Sequence, residues 1–129
     1  MKGTSIMLLY ISAKYNNESG CSTIRAEVID GHNTAVEFTT VPLPEAKAKV
    51  RALQRIFTES NLTGSGLEII LDDNELAKSA EQEQIKWGLG QEHDSEWGKV
   101  FEAYSKRFSC LATYVGETVV SKTIREEMR

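Results

Sequence analysis

The sequence predicts a single α/β domain in which a five-stranded mixed sheet is flanked by helices. Two short apolar runs, at 6–10 and 67–71, show no alternation and are typical of strands buried on both faces of a sheet. An alternating segment follows the first run, and a segment with helical periodicity precedes the second. Strands combined with amphipathic helices in this way indicate a layered α/β fold.

Composition and charge limit the class of protein. The chain has 129 residues, 40% of them hydrophobic and 26% charged, which suits one domain spanning 1–129. A net charge of −4 argues against general attraction to nucleic acid or to membrane surfaces. No apolar run approaches the roughly 18 residues of a membrane span. Since the apolar run at 6–11 is also too short for a signal peptide, we expect a cytoplasmic location and no membrane contact. Because Cys21 and Cys110 fit no disulfide framework, we expect reduced thiols.

The first half of the chain predicts three strands and a helix. Asn, Ser and Gly at 16–20 predict a turn, and residues 22–30 alternate before Gly31-His32-Asn33 interrupt them ahead of 35–41. We therefore expect an antiparallel meander. Pro44 suits the first turn of a helix at 45–60. Its expected apolar face contains Ala46, Val50, Leu53 and Phe57.

The second half predicts two strands and three helices. The run at 67–71 follows a helix, so it is expected to lie parallel to the first strand. Asp72, Asp73 or Asn74 can cap a second helix that ends near 88–90, and Asp94 or Ser95 begins a third. A strand at 110–115 and a short helix at 120–129 complete the predicted order.

That order and three short strings resemble ribonuclease H, the family that cuts the RNA strand of RNA–DNA hybrids with divalent metal. The string at 45–53, EAKAKVRAL, resembles the family's first helix, and Glu45 falls on its catalytic glutamate. The string at 68–77, EIILDDNELA, resembles the strand that ends in a catalytic aspartate. Spacing favours Asp73 as that aspartate, with Asp72 as the alternative. The string at 87–97 resembles the later helices, so the resemblance spans nearly the whole chain.

The chain also departs from the family pattern. Ser12 stands where the family places its first metal-binding aspartate, and Gly116-Glu117 replaces a mobile Gly-His pair. The last acidic ligand aligns with Glu126 or Glu127, and the family's lysine-rich handle is missing. These differences affect both the metal site and the surface that grips the hybrid.

The resemblance implies a Mg²⁺ or Mn²⁺ site at Glu45, Asp73 and Glu126, with Glu45 and Asp73 as the catalytic residues. Two-metal hydrolysis needs several converging carboxylates, and a serine hydroxyl at position 12 does not supply the charge of one. We therefore expect weak metal binding and little or no nuclease activity. Apart from the resemblance, Glu45 is an ordinary first-turn acid and the Asp72-Asp73 pair an ordinary helix cap.

A basic stripe is the candidate nucleic-acid surface. Lys47, Arg51 and Arg55 recur every four residues on the predicted first helix, with Lys49 beside them. Such a stripe either contacts phosphates or forms a solvated face that balances nearby acids. Trp87 is a candidate for stacking on bases, whereas Trp97 belongs to an apolar stripe that indicates core packing. His32 and His93 lack metal-ligand spacing.

Three functional hypotheses follow. The preferred one is a divergent ribonuclease H-like protein that acts on or binds nucleic acid, with little or no cleavage. The second is a non-catalytic scaffold that contacts a protein partner or a second copy of itself, since fold alone does not determine function. The third is an active nuclease in which Glu27 or Glu37 replaces the missing carboxylate.

Overall fold

The computed structural model describes residues 7–128 and confirms the predicted α/β class, mixed sheet and order of elements. The first strand is longer than the run at 6–10 predicts, and Ile6 lies outside the described residues. The elements are β1 (Met7–Asn16), β2 (Cys21–Asp30), β3 (Asn33–Val41), α1 (Glu45–Glu59), β4 (Leu67–Ile70), α2 (Asn74–Gly88), α3 (Ser95–Ser105), β5 (Thr113–Val115) and α4 (Val119–Glu127).

The sheet has the strand order β3-β2-β1-β4-β5. The meander β1-β2-β3 is antiparallel, while β4 lies parallel to β1 and β5 lies parallel to β4. β1 is therefore the central strand, and Leu9, Ile11 and Ala13 are fully buried. This position explains why its apolar run shows no alternation.

Helices cover both faces of the sheet. On one face α1 buries Val50, Leu53 and Phe57 in the main core, whereas Ala46, which we expected on the same stripe, is exposed. On the opposite face Ile124 of α4 packs against Tyr10 and Ile70.

Aromatic side chains of α3 fill the space between the helices and β5. Trp97 stacks on Phe101 with ring centroids 5.8 Å apart and meets Tyr114 edge-on. Trp97 is thus a core residue, as its position on the apolar stripe predicted. Over residues 7–128, no helix has both the length and the apolar character that crossing a bilayer requires.

Tyr104 gives the fold a dependence on alkaline pH. Its buried hydroxyl accepts a hydrogen bond of 2.9 Å from the Leu67 N–H, and burial raises its pKa to about 12. Above pH 10 the unfolded chain loses the phenolic proton first, so stability should fall until the pH passes about 12. The expected loss is about 2–3 kcal/mol. Urea unfolding between pH 9 and 12 tests this, and Tyr104→Phe should show a shallower decline; equal slopes would contradict it.

Candidate functional site

A buried ion pair joins α1 to the carboxyl end of β4. Lys49 Nζ lies 2.5 Å from Asp72 Oδ1, and both residues are only 2% exposed. Asp72 adopts a φ of +53°, a left-handed conformation that aspartate tolerates better than most residues. The turn after β4 therefore directs this carboxylate inward, toward the lysine.

Ser12 of β1 is the polar neighbour of this pair. Its hydroxyl is buried, and neither Ser12 Oγ nor Asp72 Oδ2 makes a hydrogen bond of good geometry. The two groups are nevertheless close enough for the hydroxyl to lower the pKa of Asp72. Ser12 Oγ and Asp72 Oδ2 are thus two buried oxygen atoms without a hydrogen-bond partner.

The charge state of Asp72 depends on its neighbours. Burial raises the pKa of Asp72 above its ordinary value of 3.8, because a carboxylate loses hydration in the interior. The Lys49 ammonium opposes this shift through its hydrogen bond and its charge, and Arg125 adds a weaker attraction. The ionised form of Asp72 is therefore maintained mainly by Lys49.

A second ion pair lies at the edge of the same region. Arg125 of α4 places Nη2 3.3 Å from Glu45 Oε1, and Glu45 is partly exposed at the start of α1. We call Ser12, Glu45, Lys49, Asp72 and Arg125 the neutralised cluster. It contains two carboxylates and two cations, so its formal charge is balanced.

The neutralised cluster does not fit a divalent metal. Mg²⁺ and Mn²⁺ prefer several oxygen ligands that supply negative charge, whereas each carboxylate here already holds a cation of the protein. In the part of the chain from 7 to 128, no three His, Cys, Asp or Glu side chains group in a way that suits a metal ion. The Lys49 ammonium supplies the positive charge that a metal would otherwise bring to Asp72.

The other two residues expected at the metal site lie elsewhere. Asp73 is the N-cap of α2, and its Oδ1 accepts from the backbone N–H groups of Glu75 and Leu76 at 3.0 and 3.1 Å. The structure thus brings Asp72, the alternative, into the cluster. Glu126 is exposed on α4. The residue before it, Arg125, contacts the cluster through Glu45.

One residue of the predicted basic stripe is held in an ion pair. Lys47 and Arg51 are exposed and border a groove of about 420 Å³ between α1 and the start of α3. Arg55 instead donates to Glu37 at 2.7 Å and to Thr39 at 2.8 Å. Trp87 is half-buried and packs against Phe101, with ring centroids 5.8 Å apart.

Acidic residues also border this groove. Asp94 and Glu96 lie opposite the two basic side chains, and Gln54 donates to Glu96 at 2.7 Å. Glu37 and Glu27, considered as replacement ligands, hold Arg55 and Arg25 respectively. Most charges near the groove and the cluster are therefore balanced locally.

Gly116 holds the end of β5 against the start of α2. A Cβ built on Gly116 would lie 2.8 Å from Asn74 Cα, and Asn74 Oδ1 accepts from the Glu117 N–H at 2.9 Å. We expect Gly116→Ala to lower the free energy of unfolding by about 1–3 kcal/mol, because backbone must shift to relieve the overlap. Denaturant unfolding measures this.

Gly88→Ala is the matched control for that substitution. Gly88 ends α2, and a Cβ there meets nothing within 4 Å. It should be neutral or stabilising by up to about 1 kcal/mol, because alanine favours the helix. Equal unfolding curves for Gly116→Ala and Gly88→Ala would contradict the close approach at Asn74.

No protein-family model matches the chain, and no curated protein is significantly similar to it. Its function must therefore be inferred from its own residues, of which the neutralised cluster is the most distinctive group.

Proposed function

We propose that the protein is a divergent ribonuclease H-like domain that binds a macromolecular partner and does not cleave nucleic acid. The observation that carries the proposal is the buried pair between Lys49 and Asp72. Metal-dependent phosphodiester hydrolysis requires carboxylates that are free to hold cations and to polarise water. A carboxylate bound to a buried ammonium does not serve that purpose.

The composition of the neutralised cluster supports the ribonuclease H-like part of the proposal. Ser12 of β1, Glu45 of α1 and Asp72 of the turn after β4 converge on one region of the fold. Each stands at a position that the sequence resemblance relates to a metal ligand, with Asp72 as the alternative to Asp73. Convergence of these three positions would be a coincidence if the resemblance were accidental.

A scaffold for protein contacts is the binding role that the surface favours. The net charge is −4, and Arg55 is neutralised by Glu37. The outer strand β3 meanwhile exposes two large apolar side chains, Val36 and Phe38. Exposed apolar groups on a strand are more typical of a protein interface than of a phosphate-binding surface.

Nucleic acid is the second candidate ligand, and exposure of Lys47 and Arg51 on one side of the groove favours it. Phosphate contacts by two basic residues would give weak binding that declines moderately with salt, because the salt dependence scales with the number of contacts. Asp94 and Glu96 on the other side of the groove reduce this attraction.

The proposal is tested by incubating the protein with a labelled RNA–DNA hybrid and Mn²⁺, and by following both cleavage and fluorescence anisotropy. We expect no cleavage. Cleavage that disappears in Asp72→Ala would contradict the proposal.

Anisotropy decides between the two ligands. If nucleic acid is bound, the double variant Lys47→Glu/Arg51→Glu should abolish binding. Lys78 is an exposed lysine on α2, and Lys78→Glu is the control that should leave binding unchanged. Absence of binding by the wild-type protein would eliminate nucleic acid and leave the protein scaffold.

A further inference from the structure

β3 is a long sheet edge with little of the usual protection. It is nine residues long, and its sequence, NTAVEFTTV, contains neither lysine nor proline. Its pairing with β2 runs without a bulge from Asn33 to Val41. The opposite edge, β5, is only three residues long. Natural sheets usually protect an edge with short length, charged side chains such as lysine, proline or bulges. The charged side chain on β3 is Glu37, and Arg55 of the same chain neutralises it.

The β2–β3 hairpin determines which backbone groups face outward. Its two-residue loop has Gly31 at a φ of +62° in the first central position, as a type II′ turn requires. Such a turn places a hydrogen-bonded pair at Asp30 and Asn33, and antiparallel pairing alternates from there. The backbone N–H and C=O groups of Thr34, Val36, Phe38 and Thr40 therefore point away from β2.

The same residues present an apolar surface. Successive strand side chains alternate between faces, so Val36 and Phe38 share the face opposite the main core. They are 46% and 61% exposed and lie across from Glu27 and Arg25 of β2, which pair with each other. Free backbone groups and apolar side chains thus occupy the same stretch of the edge.

We propose that β3 pairs with β3 of a second copy of this chain, in antiparallel orientation, to form a two-fold symmetric dimer with a continuous sheet. The inference rests on the proposed scaffold role and names its partner. A two-fold axis requires one surface to complement itself, and the residues of β3 meet that requirement in a specific register.

That register places Phe38 opposite the partner's Phe38 and Val36 opposite the partner's Thr40. The two phenyl rings then contact each other and cover the exposed apolar surface. The outward N–H and C=O groups of the paired residues exchange hydrogen bonds across the axis.

Charge complementarity on the other face selects the same register. Glu37 falls opposite the partner's Thr39, and each Arg55 already binds both Glu37 and Thr39 of its own strand. Each arginine, which also lies 3.8 Å from Glu59 of its own helix, therefore lies near the Glu37 side chains of both copies. A shift that sets Glu37 opposite the partner's Glu37 is disfavoured by like charges.

Sedimentation of the full chain at increasing concentration tests the dimer. We expect the mass to double, and Phe38→Lys to raise the dissociation constant by at least about tenfold, because a charge would enter a desolvated apolar contact. Val119→Lys is the matched control, since Val119 is also an exposed apolar residue, 82% exposed, and lies on α4. It should leave association unchanged.

A wild-type protein that stays monomeric at about 0.1 mM would overturn the inference, as would equal effects of the two lysine substitutions. Open-ended oligomers would also overturn it, because two-fold edge pairing closes at two copies. Metal titration tests the neutralised cluster separately, so the dimer and the proposed loss of cleavage can fail independently.

Amide hydrogen exchange tests the register. Raising the concentration should slow exchange at Val36, Phe38 and Thr40, whose N–H groups point outward. Exchange at Ala35, Glu37 and Thr39, already bonded to β2, should change much less. Uniform protection, or none, at a concentration that gives dimers would overturn pairing through this edge.

Discussion

Lys49→Met is expected to lower the free energy of unfolding by about 3–5 kcal/mol at neutral pH. The substitution keeps the apolar stem of the lysine but leaves the Asp72 carboxylate charged and buried without its partner. Urea unfolding followed by circular dichroism measures the loss. A loss below about 1 kcal/mol would contradict a charged pair in the interior, since that is the range of exposed pairs.

Two controls separate the charge effect from packing. Lys49→Met/Asp72→Asn should recover a large part of the loss, because asparagine is neutral and also tolerates the left-handed backbone at position 72. The deficit of the single variant should also shrink as the pH falls. Burial raises the pKa of the unpaired Asp72 in the folded variant above its ordinary value of 3.8. Below pH 3.8 the carboxyl is neutral and stability is retained, and stability is lost as the pH rises through the raised pKa.

Ser12→Asp/Lys49→Gln is expected to create a divalent metal site. The pair of substitutions removes the ammonium and adds a carboxylate beside Asp72, with Glu45 nearby. Without metal the converging acids should destabilise the fold. With Mn²⁺ at a hundredfold excess over its dissociation constant, stability should rise by about 2.7 kcal/mol. Thermal unfolding with and without Mn²⁺ checks this.

The neighbouring aspartates provide the control for that variant. Adding Asp72→Ala should abolish the Mn²⁺ effect, whereas adding Asp73→Ala should only remove the cap of α2, at a cost of about 1 kcal/mol. An Mn²⁺ effect that survives Asp72→Ala would contradict the assigned position of the site.

Local sequence signals predicted the fold well. Proline, glycine and acidic caps lie at the ends of elements, and their positions follow from short-range hydrogen bonding. Asp94, one of the two residues predicted to begin α3, is its N-cap. The length of β1 was underestimated, because residues 12–16 pair with β2 without continuing the apolar run. Pairing of that kind depends on a distant segment, which local periodicity does not reveal.

The candidate site was less accessible from sequence. Lys49 was grouped with the exposed basic stripe, because lysine is rarely buried. Its spacing is a weak signal of burial, because Lys49 lies four residues before the buried Leu53 on α1. It also lies one turn after Glu45 on the same side of the helix. Recognising it requires knowledge that Asp72 points inward, which depends on the left-handed backbone after β4.

The choice between Asp72 and Asp73 shows the same limit. Sequence spacing favoured Asp73, but the side chain of Asp73 caps α2. An error of one position in a predicted helix start changes which carboxylate faces the interior. The three-dimensional turn, rather than the residue types, makes this distinction.

The most direct test of the account is titration of Mn²⁺ into the wild-type protein by calorimetry, with cleavage of an RNA–DNA hybrid measured on the same samples. Because Lys49 already neutralises Asp72, we predict no saturable binding up to about 1 mM and no cleavage. Saturable binding and cleavage that are both lost in Asp72→Ala and both retained in Asp73→Ala would contradict the account.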